Sequence, residues 1–190
     1  MQKKGTAQRN RSQAVSSYKK QAGLFILKRL KLLFVSKNEG GKMEDKTQLK
    51  QTIENLFSSQ KLAVLATQNE GQPYCNLVAF VAEDGIKNLL FATEKNTRKY
   101  QNLLSDPRVS MLVENSQNEL ADFQKASVVT ILGSAFEISK NERDSVKKIY
   151  LSRHPNLENF VESSDCALMR VKVKSYIVVS RFREVSSFHF

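Results

Sequence analysis

Residues 88–113 read NLLFATEKNTRKYQNLLSDPRVSMLV, and this stretch decides the fold. Its opening, NLLFAT, is a compact apolar run of strand length. The period then changes. Tyr100, Leu103 and Leu104 fall on one helical face, Asn96 or Thr97 suits the N-cap, and Pro107 stops the helix. Residues 108–114, RVSMLVE, alternate as a strand does. The helix start between the two strands exposes unpaired N–H groups and a partial positive charge. Thr97 adds a hydroxyl there. Arg98 and Lys99 stand in the first turn, where the helix dipole disfavours cations. A phosphate dianion at that end would account for them; a solvated basic turn is the plainer alternative.

Working outward, residues 46–58 place Leu49, Ile53, Leu56 and Phe57 at helical spacing. Residues 61–67 and 73–82 read as strands joined by the turn Asn69-Glu70-Gly71-Gln72, in which Gly71 can take positive φ. The turn Glu83-Asp84-Gly85 returns the chain into NLLFAT as a hairpin. A polar loop is expected over 115–125 and a long strand over 126–138, with Gly133 at a bulge or bend. A charged amphipathic helix follows over 140–151, then a shorter helical piece over 155–162. Residues 166–173 and 175–183 read as two β-rich runs that could pair. No βαβ alternation is present, so the expected class is mainly β with peripheral helices (α+β), an antiparallel barrel or sandwich.

Charge divides the chain. Residues 1–42 carry 11 basic side chains and one acidic, a net of +10, while the other 148 carry 19 basic and 18 acidic, a net of +1. The total of +11 therefore gives no ground for a nucleic-acid partner in the globular part. Residues 1–20 are polar and expected to be disordered. Residues 24–35, LFILKRLKLLFV, are too short and too interrupted by Lys28, Arg29 and Lys31 to span a bilayer, so no transmembrane segment is expected. An organellar transit peptide, a membrane-surface helix and a non-native leader remain as readings. The last is favoured, because Glu39-Gly40-Gly41-Lys42 can be encoded by a purine-rich string like a bacterial ribosome-binding site just before Met43. The domain boundary is accordingly drawn at 42/43, with a globular domain over 43–190 and a cytoplasmic location expected.

Other chemistry is sparse. His154 and His189 have no partners at ligand spacing and read as surface residues. Cys75 and Cys166 fall in strands and read as packing. No metal pattern and no Gly-rich phosphate loop occurs. Glu83 and Asp84 read as solvated turn carboxylates. Arg181 and Arg183 are edge-strand charges or contacts to an anion.

The block 88–113 resembles the pyridoxine/pyridoxamine 5′-phosphate oxidase-like family. The resemblance rests on a strand ending in Thr93, the helix start Thr97-Arg98-Lys99, and Asp106-Pro107-Arg108-Val109-Ser110; Gly71-Gln72-Pro73-Tyr74 adds to it. It covers about residues 45–182 and implies an antiparallel six-stranded split β-barrel, a homodimer, and FMN bound in the interface clefts. It implies that Arg98 and Lys99 grip the FMN phosphate, with Thr97 nearby and Thr93 on the phosphate or ribityl side. Asn76, Leu77 and Val78 would run along the polar edge of the flavin, and Arg181 would approach from the second subunit. The implied activity is that of an FMN-dependent oxidoreductase acting on a small molecule. Where the true oxidase has Arg, Lys and Gln, this chain has Asn76, Val81 and Val128. The oxidase's C-terminal substrate segment and its Trp have no counterpart either, so pyridoxamine phosphate is not the expected substrate. The same fold admits a haem-binding module, for which His189 is the available ligand, and a deazaflavin-dependent reductase.

Overall fold

A computed structural model describes residues 43–180 and 184–190. The leader 1–42, Arg181 and Arg183 lie outside the described residues. The elements are α1 (Met43–Ser59), β1 (Leu62–Asn69), β2 (Gln72–Glu83), β3 (Asn88–Glu94), α2 (Arg98–Ser105), β4 (Arg108–Glu114), α3 (Asp122–Lys125), β5 (Ser127–Glu137), α4 (Arg143–Arg153), a 3₁₀ turn (Pro155–Leu157), α5 (Glu158–Glu162), β6 (Cys166–Ser180) and β7 (Glu184–His189). All pairings are antiparallel. The order β3-β2-β1-β4-β5-β6, with β6 returning to β3, closes a six-stranded barrel, and β7 adds to β6 outside the ring. No described helix is long and apolar enough to cross a membrane.

Strand alternation fills the barrel. Ala63, Leu65 and Thr67 of β1 and Val109, Met111 and Val113 of β4 point inward and are buried, as a period of two requires. Ile53, Leu56 and Phe57 of α1 join this core, and Phe57 meets Phe80 edge-on at 5.3 Å between ring centroids. β3 is buried on both faces: one faces the barrel, and the other packs Leu90 and Ala92 against Val146 and Tyr150 of α4 and Val161 of α5. That double burial explains why NLLFAT is an uninterrupted apolar run.

Both hairpin turns take the left-handed geometry that a tight connection needs, with φ of 51° and 83° at Glu70 and Gly71 and of 52° and 70° at Asp84 and Gly85. The expected break at Lys174 is not a strand end. β6 is one 15-residue strand. The pairing with β5 steps from Leu132↔Ser175 to Gly133↔Val173, leaving Lys174 as an extra bulge residue. Here β6 also changes neighbour, from β3 (ending at Asn88↔Lys172) to β7 (starting at Ser175↔His189). Gly133 sits at the same point because a Cβ there would lie 2.5 Å from the Lys172 carbonyl oxygen. The loop 115–125 contains the short helix α3, which the polar composition concealed.

Several side-chain expectations change with the fold. Cys75 is exposed, because it lies on the outward phase of β2; Cys166 is buried as expected. Glu83 is not solvated: it receives two hydrogen bonds from Arg170, at 2.6 and 2.8 Å. His154 is buried at the end of α4, where its Nε2 is 2.8 Å from the Phe80 carbonyl oxygen and its ring packs 5.0 Å from Tyr150. His189 is exposed on β7.

Candidate functional site: the split between β2 and β3

The β2–β3 ladder is short. It runs from Glu83↔Asn88 to Phe80↔Phe91 and stops. Beyond it, β2 stays on β1 from Ala79 to Gln72, while β3 stays on β6 through Ala92, Thr93 and Glu94. The two strands part, and the chain leaving β3 enters α2. Of the seven site residues named from sequence, Asn76, Leu77 and Val78 lie on the departing part of β2. Thr93, Thr97, Arg98 and Lys99 lie on the opposite bank, at the end of β3 and the start of α2.

The helix end is open to an anion. α2 has no acidic residue in its first turn, and its cap residue Thr97 makes no side-chain capping bond. Thr97 instead donates its hydroxyl to the Glu94 carbonyl at 2.7 Å and lies 3.0 Å from the Thr93 hydroxyl. The two threonines therefore fix the turn, and the expected free hydroxyl donor at Thr97 is already engaged. Arg98 is exposed and Lys99 half-buried. Among the described residues neither has an ion-pair partner. The Arg98 guanidinium lies 4.6 Å from the centre of the Tyr74 ring, a cation–π contact that reaches across to β2. Tyr74 is a site residue whose role only the fold makes visible.

A second set of contacts holds this turn in place. Lys95 pairs with Glu137 of β5 at 3.0 Å, and Tyr100 donates to the same carboxylate at 2.6 Å. Burial opposes charge on Glu137, but the bonds from Tyr100 and Lys95 outweigh it and hold the carboxyl below its ordinary range. The bond to Glu137, with burial adding to it, pushes the Tyr100 phenol up to about 12. Lys95 is thus neutralised within the scaffold, which leaves Arg98 and Lys99 as the cations available at the helix start. Deeper in, Asn102 of α2 donates to the Thr67 hydroxyl of β1 at 3.0 Å. On the β2 bank, Asn76 keeps a buried side-chain oxygen with no hydrogen-bond partner, an unsatisfied acceptor of a kind that folded proteins seldom leave.

The outer sheet face next to the split is apolar. Leu77, Val64 and Leu112 stand opposite one another across β2, β1 and β4. Leu77 is 64% exposed, Leu62 50% and Leu132 38%. The row runs on to a groove of about 810 Å³ whose walls include Leu112, Leu120, Val128, Val179, Glu114 and Asp122. Asp122 ties the rim together by accepting the N–H groups of Gln117 and Glu119, each at 2.9 Å. Among the described residues, none that lines the groove is basic.

A closed six-stranded antiparallel barrel with a few peripheral helices, split at one seam, is the split-barrel class of fold. The pyridoxamine 5′-phosphate oxidase family profile matches residues 49–179, and the chain belongs to that family. A pyridoxamine 5′-phosphate oxidase homolog of Schizosaccharomyces pombe is 25% identical over 167 residues, covering 70% of this chain and 86% of its own. Among solved structures, a heme-binding protein from Mycobacterium smegmatis superposes with a TM-score of 0.66 at 19% identity, over 74% of this chain and 57% of its own. The chain thus spans little more than half the length of that neighbour. An FAD-binding protein from Mesorhizobium loti superposes with a TM-score of 0.55 at 16% identity, over 65% of this chain and 88% of its own. At these identities the structural likeness establishes the fold alone.

Proposed function

We propose that the chain is an FMN-dependent oxidoreductase, working as a homodimer on a small molecule other than pyridoxamine phosphate. The observation that carries the reading is the pair Arg98 and Lys99, without carboxylate partners among the described residues, in the first turn of an uncapped helix beside the split. A phosphate there would receive the first-turn N–H groups and two cations at once. The residues also suit a flavin ring: the orphaned oxygen of Asn76 is an acceptor waiting for an N–H donor, and a flavin ring carries one. Asn76, Leu77 and Val78 would hold the ring edge, Thr93 and Thr97 the turn beneath the ribityl chain, and Arg98 and Lys99 the phosphate. When bound, the flavin supplies hydride or electron transfer, while the protein supplies position and electrostatics. Backbone N–H groups along β2 would stabilise negative charge at the ring.

The apolar row of Leu62, Val64, Leu77 and Leu112 is assigned to a second copy of the chain, which would bury it. The groove beside Val128 is assigned to the substrate. Among the described residues its walls hold carboxylates and aliphatic side chains and no cation, a lining that suits an uncharged or cationic small molecule. Residues 43–190 form the cofactor domain in this reading, and the two free thiols, Cys75 and Cys166, suit a reducing cytoplasm.

Titration with FMN, followed by quenching of flavin fluorescence, tests the proposal. Saturation at one FMN per chain is expected; an absence of saturable binding contradicts it. A haem-handling role is the competing reading, supported by the heme-binding neighbour and the exposed His189. A Soret band lost in His189→Ala would favour it.

A further inference from the structure

We infer that Tyr150 is the positioning residue that fixes how far the β2–β3 seam opens, and so the shape of the cleft beside it. This rests on the flavin reading above. The ladder stops at Phe80↔Phe91, so the next pair in register is Ala79 and Ala92. At that point the Tyr150 hydroxyl, from α4, donates to the Ala79 carbonyl oxygen at 3.3 Å. The facing backbone of Ala92 is close enough to the same hydroxyl to oppose the upward push of burial on it. A side-chain oxygen thus stands between two strands whose main chains would otherwise bond directly.

The spacer is rigid. Tyr150 is 1% exposed and packed among Leu90, Ala92, Cys166 and Leu168. One turn later on the same helix, His154 takes the Phe80 carbonyl at 2.8 Å. Two consecutive carbonyls of β2 are therefore held by the end of α4 at the place where β2 leaves β3. Burial pushes the Tyr150 phenol up to about 12, so it stays a neutral donor at any physiological pH. Beyond this point β2 carries Val78 and Asn76 and β3 carries Thr93, the two banks of the cleft.

Tyr150→Phe removes the bridge at nearly constant volume. FMN affinity is expected to fall by about tenfold or more, the equivalent of one buried hydrogen bond, and the visible circular dichroism of bound FMN to change. Tyr176→Phe is the control: Tyr176 is equally buried, but its hydroxyl serves the Ile86 carbonyl at 2.5 Å. It should lower stability and leave FMN affinity and the visible spectrum alone. Equal FMN affinity and an unchanged visible spectrum in folded Tyr150→Phe overturn the inference, as does an equal loss in both variants. Amide hydrogen exchange on the FMN-free wild-type chain gives a reading that needs no variant. The Ala92 amide should be protected there, and free exchange at Ala92 refutes the bridge. Wild-type protein that takes up no FMN defeats the functional reading instead, and Ala92 exchange still decides whether the bridge exists.

Discussion

Replacing Arg98 and Lys99 together by Ala isolates the phosphate grip. A hydrogen bond to a charged group contributes about 1.5–3 kcal/mol, so two such contacts would contribute about 3–6 kcal/mol. Arg98 is exposed and Lys99 only half-buried, and solvent screening favours the lower part of that range. A loss of about 3–4 kcal/mol is expected, which is roughly 150- to 1,000-fold in FMN affinity. Stability should barely move. Removing two cations from a helix N-terminus relieves about 0.3–1 kcal/mol each, offset by the Tyr74 contact at about 0.5–1 kcal/mol. The assay is parallel titration with FMN and with riboflavin, which has the ring and ribityl chain but no phosphate. FMN should weaken while riboflavin holds. Unchanged FMN affinity refutes the assignment of the cations. Equal weakening of both ligands shows that the loss does not run through the phosphate.

Gly133→Ala forces a Cβ to 2.5 Å from the Lys172 carbonyl oxygen and 2.9 Å from Val171 Cγ1. It should cost about 1–3 kcal/mol and lower Tm by about 3–10 °C; an unchanged Tm contradicts the close approach. The Arg108 guanidinium and backbone hold the Asp106 carboxyl well below the usual carboxylate range, with Gln68 adding to this. Its contribution is therefore fully present above about pH 4 and is lost as pH falls further. Asp106→Asn should flatten the acid limb of a stability–pH curve below pH 4, and parallel acid limbs for the two proteins argue against the ion pair. Leu77→Glu places a charge at the most exposed position of the apolar row, 64% exposed, and should convert a dimer to a monomer by light scattering. A wild-type monomer, or a variant that still dimerises, removes that face as the interface.

The elements around the site were largely legible. In residues 88–113 the apolar run, the change of period at Asn96 and Thr97, and the stop at Pro107 mark β3, α2 and β4 to within a residue or so. What escaped depends on partners distant in sequence. Lys174 interrupts an apolar pattern and reads as a strand end, yet it is a bulge where β6 exchanges β3 for β7. Its signal lay on another strand, in Gly133. His154 sits beside Pro155 among polar neighbours and reads as surface, but α4 folds it against a carbonyl 74 residues away. Cys75 reads as packing because a short strand does not reveal which face is outward. Within the site, the misplaced cations Arg98 and Lys99 were visible because helix electrostatics is local. Tyr74, Glu137 and Tyr150 were not, because their roles arise from strand pairing and from a helix that returns late in the chain.

The central claim is that the split holds FMN, and the absorption spectrum of the purified chain, before and after incubation with excess FMN and removal of the free ligand, tests it most directly. The account predicts the two flavin bands of the visible and near-ultraviolet at close to one per chain. A colourless protein that takes up no flavin, or a Soret band in place of the flavin bands, would contradict it.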